Sequence, residues 1–113
     1  MLVFDAAHLP FGCSVWPAFW TKGQDWPRGG EIDVLEAVNR ASANQMTLHA
    51  SPGCVQAPDA AQLGKTNGAD CSQGVNSSVG CTVLETQADS FGDGFNGVGG
   101  GVWATQFDVS GIL

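Results

Sequence analysis

At 113 residues, 43% hydrophobic and only 13% charged, the chain has the make-up of a globular protein rather than a disordered one. A net charge of −7, with Lys22, Arg28, Arg40 and Lys65 as its fixed cations, repels phosphate backbones and argues against nucleic-acid binding. No apolar run approaches a membrane span, and sixteen glycines and five prolines beside few helix formers favour an all-β fold with many turns.

Residues 1–20 are dense in apolar and aromatic side chains, broken at Pro10-Phe11-Gly12 and Pro17, and read as two short strands around a turn. The opening Met1-Leu2-Val3-Phe4-Asp5 lacks the basic and long apolar regions of a signal peptide, so an export signal is expected upstream of this sequence. Core packing is the usual fate of a tryptophan and is expected for Trp16; Trp20 is balanced between core and ligand. Thr21 to Gly30, with Gly23, Pro27, Gly29 and Gly30, marks a loop. Trp26 stands in that loop between Asp25 and Pro27, a polar setting that favours ligand contact. A flat indole can stack on the C–H face of a sugar ring while its N–H makes one hydrogen bond.

The next element, Glu31 to Asn39, reads as a strand and carries the strongest signal. Glu31-Ile32-Asp33-Val34-Leu35-Glu36 puts three carboxylates into six residues of otherwise apolar sequence. Alternation places Glu31 and Asp33 on one strand face and turns Glu36 to the other. One extra residue, a β-bulge at Val34 or Leu35, restores Glu36 to the face of the other two. Acidic groups are rarely buried without a partner or a purpose. Two carboxyl groups on one face are what glycoside hydrolysis requires, one attacking the anomeric carbon and one protonating the leaving oxygen. With Asp33 between them, mutual repulsion favours keeping one proton in the set.

Gln45 to Ala50 reads as the neighbouring strand, ending near His49. A lone histidine there is most often structural; beside the carboxylate strand it can instead hydrogen-bond a carboxylate or a substrate. A metal site built from Glu31, Asp33, Glu36 and His49 is the weaker reading, because metal ligands converge on a point rather than run along a strand. Ser51 to about Gly80 is polar and small, a long loop that needs stapling. Cys13, Cys54, Cys71 and Cys81 lack zinc-site spacing and point to disulfides in an oxidising compartment, with three connectivities open. Asn76-Ser77-Ser78 fits a glycosylation acceptor. Residues 81–86 and 102–109 read as strands separated by the glycine run Gly97 to Gly101. Gly64-Lys65-Thr66 is no phosphate loop, since Asp59 stands where the first glycine belongs, and Gly12-Cys13-Ser14 lacks the second glycine of a nucleophile elbow.

These residues resemble glycoside hydrolase family 16, in particular the fungal endo-1,3(4)-β-glucanases or laminarinases. The likeness runs through His8 to Cys13, Trp16-Pro17-Ala18-Phe19-Trp20, Trp26-Pro27, Gly30 to Asn39, Thr47-Leu48-His49, Ser51 to Cys54 and Gly99 to Ala104. It implies a concanavalin-like jelly-roll β-sandwich with a glycan cleft on its concave face. By resemblance Glu31 is the nucleophile, Asp33 the residue that orients and tunes it, and Glu36 the acid/base; Trp20, Trp26 and His49 line the cleft. The five-residue step from Glu31 to Glu36 is similar to the bulged, laminarinase side of the family. The implied protein is a secreted, extracellular monomer acting on a β-glucan polysaccharide, with no cofactor and no catalytic metal. A glucan-binding module without turnover and a transglycosylase are the competing readings.

The sequence departs from the family at Gln106-Phe107, where relatives more often carry an acidic residue followed by Trp. It is also short, since β-sandwich enzymes often run to about 200–250 residues. Residues 1–113 are therefore expected to be a partial catalytic domain, with a jelly roll incomplete at both ends and inactive on its own.

Overall fold

The computed structural model describes residues 1–74 and 79–113; the Asn76-Ser77-Ser78 acceptor lies outside the described residues. The strands are β1 (Leu2–Ala6), β2 (Ala18–Lys22), β3 (Glu31–Glu36), β4 (Gln45–His49), β5 (Lys65–Gly68) and β6 (Cys81–Leu84). One short helix, α1 (Gly92–Gly97), then precedes β7 (Gly101–Thr105), β8 (Phe107–Asp108) and β9 (Gly111–Ile112). Five strands form an antiparallel sheet in the order β2-β3-β4-β6-β5; β1 pairs with β7, and β8 with β9.

Alternation along the strands explains the layering. On β2, Phe19 and Thr21 are half-buried while Ala18, Trp20 and Lys22 are exposed, so one sheet face packs inward and the other opens to solvent. Inward lies a core of Leu9, Leu35, Ala37, Phe91 and Phe95, with Phe4, Phe11, Phe19 and Trp103 packed against it. The β1–β7 pair closes this side through aromatic contacts: Phe4 stacks on Phe19 at 4.4 Å, and Trp103 lies 4.9 Å from Phe95.

Three local expectations differ from the structure. The stretch from Ser51 to Gly80 contains β5 and is further tied by the bridges Ala50↔Ser72 and Val55↔Asp70. Helix α1 has three glycines in Gly92-Asp93-Gly94-Phe95-Asn96-Gly97 and no propensity signal. Tertiary contacts hold it instead: Phe95 is buried, and the Asn96 amide both accepts from the Leu9 N–H (2.8 Å) and donates to the Leu9 carbonyl (3.0 Å). Of the cysteines, Cys71 and Cys81 form a disulfide, while Cys13 and Cys54 are exposed free thiols among the described residues.

Candidate active site

The β3 bulge is present. Against β2, Phe19 faces Leu35 and Trp20 faces Asp33, so Val34 is the extra residue. Against β4, Asp33 faces Thr47 and Glu36 faces Gln45, so Val34 and Leu35 together oppose Met46. The inserted residue turns Glu36 back to the solvent-facing side, and Glu31, Asp33 and Glu36 line one cleft with Trp16, Ala18 and Trp20. The cleft holds about 270 Å³.

Each outer carboxylate accepts one indole hydrogen bond. Trp26 Nε1 donates to Glu31 Oε2 at 2.5 Å, and Trp16 Nε1 donates to Glu36 Oε1 at 2.9 Å. Local structure sets both rings. The loop after β2 folds back through Gly23 N–H to the Gly30 carbonyl (2.8 Å) and Gly30 N–H to the Pro27 carbonyl (3.0 Å). Gly23 and Gly29 touch there; a Cβ on Gly23 would lie 2.4 Å from the Gly29 carbonyl oxygen, so glycine is required. Asn39 pins the segment before Trp16, its Oδ1 accepting from Ser14 N–H (2.8 Å) and its N–H donating to the Val15 carbonyl (2.8 Å).

Trp16 corrects the expectation of core packing. It is 67% exposed, more than Trp20 (46%) or Trp26 (45%), and it stands at the cleft. Its position was hidden because the segment before β2 is irregular, so no strand period assigns the ring to a face.

His49 lies opposite Glu31 in the β3–β4 ladder. Its Nε2 is 3.2 Å from Asp33 Oδ2 and 4.0 Å from Glu31 Oε1. The close contact is off the hydrogen-bond axis, and Asp33 Oδ2 has no aligned hydrogen-bond partner among the described residues. The other ring nitrogen, Nδ1, meets the Gln73 amide, and Gln73 N–H donates to the Ala50 carbonyl (2.8 Å). The Cys71–Cys81 disulfide anchors that segment beside β4. Sequence reasoning missed Gln73, which carries no signal inside a polar loop.

Asp33 is buried, 4% exposed. Burial first, then the negative charges of Glu31 and Glu36, push its pKa from 3.8 up to about 7. One proton of the cluster therefore resides on Asp33 up to near-neutral pH. Three of the four donors considered for a metal do converge: ligand atoms of Glu31, Asp33 and His49 all lie within 4.8 Å of one another, and Glu36 stands apart from them. Gln73 fixes one ring nitrogen, and the other faces the carboxyl groups of Asp33 and Glu31.

The profile of the XgeA-like catalytic domain of glycoside hydrolase family 16 matches residues 1–113. The chain belongs to glycoside hydrolase family 16. Among its relatives, a probable glycosidase of Schizosaccharomyces pombe is 41% identical over 99% of this chain, which spans 27% of that protein. The endo-1,3(4)-β-glucanase xgeA of Emericella nidulans is 41% identical over 95% of this chain and is spanned for 17% of its length. A solved family 16 structure, Laminarinase 16A of Phanerochaete chrysosporium with β-glucans in donor and acceptor sites, superposes with a TM-score of 0.87 at 40% identity. That match covers 92% of this chain and 35% of the laminarinase chain. An elongating family 16 β-1,3-glucosyltransferase is 42% identical with a TM-score of 0.83, over 94% of this chain and 35% of its own. The sheets described above belong to the family 16 jelly roll.

Proposed function

We propose that this chain carries the catalytic centre of a retaining endo-β-glucanase that hydrolyses β-1,3 or mixed β-1,3/1,4 glucans. One observation carries the reading: the β3 bulge aligns Glu31, Asp33 and Glu36 in a single cleft walled by indole rings. In this reading the Glu31 carboxylate attacks the anomeric carbon while Glu36 gives its proton to the glycosidic oxygen. The C–O bond breaks and a glycosyl ester forms on Glu31. Glu36 then takes a proton from water, which attacks the same carbon and releases the sugar with retained configuration. Trp26 holds one oxygen of Glu31 and leaves the other for attack; Trp16 holds one oxygen of Glu36 and leaves the other to give and take the proton. Asp33, protonated up to about pH 7, withholds a second negative charge beside the Glu31 carboxylate and hydrogen-bonds it. Trp20, Trp26 and His49 line the path of the glycan, with the two indole faces as stacking surfaces.

The likeness to an elongating glucosyltransferase supports a second reading, in which a sugar hydroxyl replaces water in the second step. We further propose that residues 1–113 are part of a longer, extracellular catalytic domain. The outer face of the β1–β7 pair supports this, since Val3 (61%) and Val102 (62%) stand exposed where a further strand layer would cover them. The disulfide fits an oxidising compartment.

The test uses the full-length gene product that carries this chain. Glu31→Gln should abolish release of reducing ends from laminarin while glucan binding stays measurable; near-normal turnover would end the assignment. NMR detection of the first anomer formed reports retention, and products longer than the substrate would identify the transferase.

A further inference from the structure

We infer that Asn44 is a positioning residue whose side-chain amide clamps the β3 bulge and so keeps Glu36 on the cleft face; the inference rests on the acid/base role proposed for Glu36. An inserted residue interrupts a ladder on both sides. Here no residue of β2 pairs with Val34, and on the β4 side Val34 and Leu35 share Met46, so neither has a ladder partner of its own there. Both are buried, Val34 at 7% and Leu35 at 1% exposure, so water is a poor substitute for the lost ladder bonds.

Asn44 fills that gap. It sits just before β4, is 1% exposed, and spans the bulge with one carboxamide. Its Nδ2 donates to the Val34 carbonyl at 3.0 Å, and its Oδ1 accepts from the Glu36 N–H at 3.1 Å. Those are the carbonyl of the inserted Val34 and the N–H that closes the bulge on its far side. The clamp is itself fixed at both ends: Asn44 N–H donates to Ser90 Oγ (3.1 Å), and the Asn44 carbonyl accepts from Glu85 N–H (2.9 Å). Ser90 Oγ in turn donates to the Gln87 carbonyl at 2.9 Å.

The chemistry singles out this side chain. A carboxamide offers a donor and an acceptor side by side; aspartate keeps only the acceptor, leucine neither, and glutamine is one methylene too long. Without the amide, a buried carbonyl (Val34) and a half-buried N–H (Glu36) lose their partners. The strand can recover ladder pairing only by expelling the bulge, and that slip would turn Glu36 into the core and Leu35, now a core residue, out to the cleft. Either an open bulge or a slipped strand moves Glu36 away from the leaving oxygen.

The test compares wild type, Asn44→Ala and Asn44→Asp in the full-length gene product. Amide hydrogen exchange needs no activity: Asn44→Ala should expose the Glu36 N–H, lowering its protection by about 10-fold or more while Ile32 and Leu48 are unchanged. Turnover of a β-1,3-glucan should fall about 100-fold. An aryl β-glucoside with a good leaving group, assayed with azide as second nucleophile, needs no acid/base and should fall less than about 10-fold. Unaltered protection of the Glu36 amide in Asn44→Ala refutes the clamp. Lost protection with equal losses on both substrates leaves Asn44 merely structural and refutes the positioning role. Should Asn44→Ala not fold, Asn44→Asp decides through the same substrate comparison, since it retains the acceptor for Glu36 N–H. A wild type inactive on both substrates would remove the hydrolase reading, with the exchange result still deciding whether the clamp exists.

Discussion

Replacing Asp33 with asparagine measures what crowding three carboxylates into one cleft costs the fold. In the folded protein Asp33 holds its proton up to about pH 7, chiefly because it is buried and secondarily because Glu31 and Glu36 stand beside it. In the unfolded chain the same group titrates near its ordinary value of 3.8. Between those two values the folded state binds a proton that the unfolded state has released, so stability falls as pH rises through the interval. The contribution is complete below about pH 4 and lost above about pH 7. The interval from 3.8 to about 7 corresponds to about 4 kcal/mol at most. Asparagine is the same size and uncharged at every pH. The Asp33→Asn variant should therefore match wild type or fall slightly below it at pH 4. At pH 8 it should exceed wild type by about 2–4 kcal/mol, the lower end allowing for relaxation of an open cleft. Urea unfolding of the full-length protein at pH 4, 6 and 8 gives the three differences directly. A variant destabilised equally at pH 4 and pH 8 would show that Asp33 does not carry the proton. Turnover should drop at all three values, which separates the stability gain from the loss of a tuned nucleophile.

Two further substitutions follow from single contacts. Trp16→Phe keeps the aromatic wall but removes the donor to Glu36 Oε1; a hydrogen bond to a carboxyl oxygen from so exposed an indole contributes about 1 kcal/mol, so kcat should fall about 5-fold with KM little changed. An unaltered kcat, or a change confined to KM, would count against that role. Gly80 has φ +83°, and a Cβ there would lie 2.6 Å from the Leu48 carbonyl oxygen and 2.7 Å from Cε1 and Nδ1 of His49. Gly80→Ala should cost about 1–3 kcal/mol and most of the activity, read from thermal melts and laminarin hydrolysis. Gly53→Ala is the control: φ is +97° but nothing lies within 4 Å of the added Cβ, so it carries backbone strain without touching His49. Equal losses in the two variants would mean that the His49 contact is immaterial.

Residue order alone marks the carboxylate strand and the need for a bulge at Val34 or Leu35, because a period of two leaves Glu36 on the wrong face unless one residue is inserted; the structure decides for Val34. It also locates Trp26 and His49, whose neighbours in the chain, Asp25-Trp26-Pro27 and Thr47-Leu48-His49, announce a turn and an adjacent strand. What required the folded molecule is everything set by contacts between distant segments. Trp16 reaches Glu36 across 20 residues through an irregular segment with no period to read. Helix α1 forms despite three glycines because Phe95 and Asn96 find partners in the core and at Leu9, an outcome that local propensity opposes. Four cysteines allow three connectivities, and only the approach of the segment after β5 to β6 pairs Cys71 with Cys81. The shared proton was legible as a necessity of three crowded carboxylates; its place on Asp33 was not. That depends on which carboxyl group the fold buries most deeply, and burial is a property of the packed sheet rather than of the residue order.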